Sequence, residues 1–121
     1  MADAATVQEE LLDLYKDESG IKRFHPAYTW TNALTELPGI LRKGVNRIPS
    51  GSIRLEHEES PELYSDEGGS TAIIFELVNT DGETQYFRND GYMSSWDGTE
   101  WHSTLYEVRR APKQTYDYKR I

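Results

Sequence analysis

The side chains best equipped for recognition chemistry lie in GYMSSWDGTEWHSTLYEVRR, residues 91–110, where Tyr92, Trp96 and Trp101 precede Arg109 and Arg110. Trp, Tyr and Arg dominate binding hot spots because they combine large contact area with a polar handle. If Asp97-Gly98 is a two-residue hairpin loop, Trp96 faces Thr99 and Ser94 faces Trp101; a four-residue loop makes the tryptophans directly opposed. Both readings place Tyr92, Trp96 and Trp101 on one face of the hairpin. That face is either a buried cross-strand cluster or a partly exposed aromatic anchor rimmed by Asp97, Glu100 and His102.

Other chemistries fare less well. Glu56-His57-Glu58 has a metal-ligating composition, but a strand sends His57 to the opposite face from both glutamates. NTDGE and WDGTE lack the spaced carboxylates and distant bidentate Glu of a calcium loop, and turn use explains them. No phosphate-binding loop, dinucleotide fingerprint, nucleophile elbow or HExxH is present, and Cys is absent. No catalytic residue, cofactor or metal is therefore expected. Two tryptophans amid plentiful acids leave a glycan-binding or glycan-cleaving domain as a third-ranked reading.

The charge is arranged in blocks within a net of -8. Asp3, Glu9, Glu10, Asp13, Asp17 and Glu18 crowd the N-terminus, and Glu56, Glu58, Glu59, Glu62, Asp66 and Glu67 form a second acidic patch. Lys22, Arg23, Arg42, Lys43, Arg47 and Arg54 lie between them. Such a chain repels phosphate overall, so direct nucleic-acid binding is not expected. An acidic surface suits a basic protein partner, or it could imitate the phosphates of a nucleic acid. Acids stand where a signal peptide needs positive charge, and no apolar run is long enough to span a bilayer. Neither secretion by that route nor membrane association is expected.

The elements that would position these residues follow from periodicity. At 121 residues the chain fits one domain. Thr6 and Glu9 form a capping-box pattern, and Val7, Leu11, Leu14 and Tyr15 make one helical stripe over residues 6–17, ended by Gly20. In TNALTELPGILRKG, Pro38-Gly39 predicts a short turn of helix followed by irregular chain. Residues 1–51 thus read as a helix plus a wrapping arm that packs Ile21, Phe24, Tyr28, Trp30, Leu34, Leu37, Ile40, Leu41, Val45 and Ile48. Residues 52–121 read as an antiparallel sheet. SIRLEHEE alternates Ile53, Leu55 and His57 against Arg54, Glu56 and Glu58. SPELYSDEGGS reads as the mobile loop, and Asp81-Gly82 as a two-residue turn that pairs Leu77 with Tyr86 and Glu76 with Phe87. The fold class is α+β: an N-terminal helix and arm on a five-stranded antiparallel meander that can curl into a small, partly closed barrel.

The segment from Tyr86 to Ile121 resembles the C-terminal part of small accessory proteins of tailed bacteriophages, in which a GYYSSWDGTEWD-type stretch precedes an EVR-type strand. Gly91 to Trp101 and Glu107-Val108-Arg109 carry the match. The chain departs from that pattern at His102, where an acid is usual, and at Arg110-Ala111, where proline is usual. The resemblance implies an accessory factor working in the host cytoplasm, with no activity to carry over. The expectation is a non-enzymatic protein that binds and modulates a host protein, with the nucleic-acid mimic as the alternative.

Overall fold

In a computed structural model the protein is described over residues 1–59, 69–94 and 98–109. Two helices lie across the concave side of a curled antiparallel sheet, a half-barrel of the α+β class. Helix α1 spans Ala4–Ser19 and helix α2 Trp30–Arg42; the strands are β1 Arg47–Ile48, β2 Gly51–Glu59, β3 Gly69–Asn79, β4 Thr84–Ser94, β5 Gly98–Trp101 and β6 Tyr106–Val108. The sheet runs β1-β2-β3-β4-β5, and β6 pairs with β4 beyond the end of β5. The free edge of β4 is thus taken first by β5 and then by β6, with the His102 N–H donating to the Asp90 carbonyl at the junction (2.8 Å). The expected strand over QTYDYKRI and the SPELYSDEG part of the expected mobile loop lie outside the described residues.

Helix α1 starts earlier than the capping box predicts. Asp3, not Thr6, is the N-cap: its carboxylate accepts the Thr6 N–H at 2.8 Å, which holds the Asp3 carboxyl below its ordinary range. Val7, Leu11 and Tyr15 are buried and Leu14 is half-buried, as the stripe predicts. The helix is tied to the sheet by polar two-point contacts. The Gln8 side chain donates to the Ser103 carbonyl and accepts the Leu105 N–H, each at 2.9 Å. The Gln85 side chain brackets Ala2 in the same way, accepting its N–H and donating to its carbonyl.

Helix α2 corrects the irregular-arm expectation, because it runs unbroken through Pro38. A proline inside a helix costs about 3 kcal/mol. Trp30, Ala33, Leu34, Leu37 and Leu41 nevertheless form one buried stripe, and each large apolar side chain so buried contributes about 1.5–3 kcal/mol. Burial outweighs propensity here.

The β3–β4 turn also differs from the expectation by one residue. Val78 pairs with Thr84, Glu76 with Tyr86 and Phe75 with Phe87, so Thr80, Asp81 and Gly82 form a three-residue loop. The Gly82 N–H donates to the Asn79 carbonyl (2.9 Å), and Gly82 takes φ 91°, a value that favours glycine. Ile73, Phe75 and Leu77 still face inward and are buried, since alternation along one strand does not depend on register.

Strand β2 carries a bulge between Leu55 and His57. Ile53 and Leu55 face the core, but His57 then pairs with Ile74 and Glu58 with Ile73, which turns His57 outward and Glu58 inward. The expected grouping of His57 with Ile53 and Leu55 is therefore wrong, because an extra residue reverses the alternation.

Candidate functional site

Tyr92 and Trp101, expected on one face, lie on opposite faces. Met93 pairs with Thr99, Tyr92 with Glu100 and Gly91 with Trp101, so the partner of Trp101 lies three residues before the Ser94 of the two-residue loop and five before the Trp96 of the four-residue loop, and either odd offset reverses the face. Tyr92 therefore points outward, 46% exposed, while Trp101 points to the concave side and packs half-buried against the core. A Cβ on Gly91 would lie 2.6 Å from Trp101 Cε3, so the indole rests on bare backbone that only glycine provides. Arg109 follows β6 and is exposed; Trp96 and Arg110 lie outside the described residues.

The described part of the acidic patch is engaged within the fold. Glu58 pairs with Arg42, Glu56 with Arg54 and Glu59 with Arg88. Arg54 also grips Glu76 through Nε at 2.6 Å, and that bond, helped by the Glu76 charge, raises the guanidinium pKa further. Arg88 reaches from β4 to β2 across the small, fully buried Ala72 to hold both oxygens of Glu59 (2.9 and 3.2 Å). The charge of these three carboxylates is thus offset in part by neighbouring guanidinium groups. Glu62, Asp66 and Glu67 lie outside the described residues.

Two polar clusters escaped sequence reasoning. On the outer face Asp90 accepts from Arg88 Nε (2.7 Å) and Tyr106 OH (2.5 Å). Burial opposes ionisation of Asp90, but the hydrogen bonds from Tyr106 and Arg88 and the charges of Arg88 and His102 outweigh it and hold the carboxyl below 3.8. The bond to Asp90, with burial, raises the Tyr106 phenol. Inside, the fully buried Asn89 accepts from Trp30 Nε1 (2.9 Å) and donates to the carbonyls of His102 (3.0 Å) and Asp90 (3.1 Å). An Asn inside a strand gives no local sign of this role, since its partners are distant in sequence.

Comparison with protein-family models, curated proteins and solved structures gives no match. Among the described residues no three His, Asp or Glu side chains converge as metal ligands, and no helix is long and apolar enough to cross a membrane.

The most exposed large apolar side chain among the described residues was expected to pack. Phe24 is 96% exposed. It stands on the α1–α2 connection in a turn closed by the His25 N–H to the Lys22 carbonyl (2.9 Å), followed at once by a second from the Tyr28 N–H to the His25 carbonyl (2.9 Å). Residues at the corners of such a turn project away from the body. The base is fixed as well: the Ala27 carbonyl accepts from Tyr15 OH (2.9 Å) and Asn32 Nδ2 (3.1 Å), and Tyr28 OH donates to Asp13 (3.2 Å). Burial, then the charge of Asp13, raises the Tyr28 phenol. Lys22, Arg23 and His25 flank Phe24 and are exposed. The result is a hydrogen-bonded turn that carries an exposed phenylalanine ring beside the cationic Lys22 and Arg23.

Proposed function

We propose that this domain acts by binding another protein, and that Phe24 is its anchor. The observation that carries the reading is a fully presented phenylalanine on a turn held by hydrogen bonds at tip and base. Leaving such a ring in water forgoes about 1.5–3 kcal/mol of burial, and a preorganised anchor recovers it on binding with little ordering cost. The flanking Lys22 and Arg23 favour an apolar pocket with an acidic rim. The resemblance of the C-terminal segment to phage accessory proteins extends the proposal: the partner is a host protein, met in the host cytoplasm, whose activity the domain modulates.

The test is site-specific photo-crosslinking. A benzophenone amino acid at position 24 should give a discrete protein adduct in host cells, while the same group at the exposed position 36 should not. Adducts that are identical from both positions, or none from position 24, would remove Phe24 as the anchor.

A further inference from the structure

A second surface is independent of the Phe24 turn. Between the C-terminal half of α2 and the concave side of the sheet lies a cleft of about 470 Å³, lined by Leu34, Thr35, Arg42, Glu58, Thr99 and Trp101 among others. Its size is in the range of small-molecule sites. We propose that this cleft binds a neutral saccharide, with the Trp101 indole as the stacking wall.

The chemistry of the lining selects that class. Gly91 lets the half-buried indole rest against the β4 backbone, which fixes the ring's orientation while leaving part of it to line the cleft. An aromatic face held in this way attracts the electropositive C–H face of a pyranose. At the rim, Arg42 and Glu58 form an ion pair with side chains 61% and 37% exposed. An exposed pair of this kind is worth about 0–1 kcal/mol, so its fork of donors and its carboxylate acceptors can re-pair with vicinal hydroxyls at small cost. The Thr35 hydroxyl donates to the Thr31 carbonyl (3.2 Å) and keeps its lone pairs as acceptors. Arg42 and Glu58 cancel in charge, which disfavours an anionic or cationic ligand. Glu58 is the only carboxylate among the described lining residues, whereas glycoside cleavage needs two, so the inference is binding without hydrolysis.

The experiment is a titration of the folded protein, labelled at its indole N–H groups, with maltotriose, N-acetylchitotriose and galactose, followed by NMR. The Trp101 indole signal should move with at least one of these sugars while that of the buried Trp30 stays fixed. Arg42→Ala should weaken the effect at least tenfold with an unchanged melting temperature, since Arg42 is exposed. Trp101→Phe, which keeps a smaller ring over Gly91, should weaken it without unfolding. No Trp101 response to any of the sugars overturns the proposal, as does a response that Arg42→Ala leaves intact. A response to benzoate in place of the sugars overturns it too.

Discussion

Asn89→Ala tests the internal architecture most sharply. The substitution strands the buried Trp30 indole N–H, whose acceptor is Asn89 Oδ1 at 2.9 Å, and takes the donor from the His102 and Asp90 carbonyls. A buried donor left without a partner costs about 1–3 kcal/mol. The His102 residue is exposed, so water can replace part of what its carbonyl loses. Adding a small cavity where a fully buried side chain stood, the expected loss is about 2–4 kcal/mol, a large share of a total stability of about 5–15 kcal/mol. For a chain of this length the melting temperature should fall by on the order of 10 °C. Denaturant unfolding followed by tryptophan fluorescence gives the number. Trp30→Phe removes the stranded donor, so the double variant should cost at least about 1 kcal/mol less than the sum of the singles. A loss below about 1 kcal/mol for Asn89→Ala, or strict additivity in the cycle, would refute the stabilising role of the Asn89 hydrogen bonds.

Gly91→Ala should destabilise by about 1–3 kcal/mol, because its Cβ meets the Trp101 ring at 2.6 Å and the Glu100 carbonyl at 2.9 Å; thermal melts check this. Deleting residues 1–18 removes Val7, Leu11 and Tyr15 from the core, each worth about 1.5–3 kcal/mol, and should leave an unfolded or aggregating chain by circular dichroism. The folded-state pKa of Asp90 lies below its unfolded value, so its contribution to stability is complete above the ordinary 3.8 and is lost as pH falls through the depressed value. Asp90→Asn should accordingly flatten the acid limb of the stability–pH curve, and an unchanged limb would show that Asp90 gains nothing from Arg88 and Tyr106.

Features set by one strand or one helix were legible in the sequence. The stripe of Val7, Leu11 and Tyr15 lies where periodicity places it, and Ile73, Phe75 and Leu77 share one face of β3 whatever its register. Features set between strands were not. A three-residue loop where two were expected shifts the β3–β4 pairing, and the register of β4 with β5 sends Tyr92 and Trp101 to opposite faces. The bulge in β2 likewise reverses His57 and Glu58. Pro38 misled for a different reason: local propensity argued for a break, and the burial of Trp30, Leu34, Leu37 and Leu41 overrode it. Hydrophobicity alone groups Phe24 with the packing residues, because it carries no direction. Its exposure belongs to a turn closed by the bonds from His25 to Lys22 and from Tyr28 to His25, whose donors and acceptors leave no local hydropathy signal.

The claim that Phe24 anchors a protein partner is tested most directly by the affinity of Phe24→Ala for the protein that crosslinks at position 24. Because Phe24 is 96% exposed, the variant should melt at the wild-type temperature. Loss of an anchor of about 2 kcal/mol should weaken binding about 30-fold. Wild-type affinity in a normally folded Phe24→Ala protein would contradict the account.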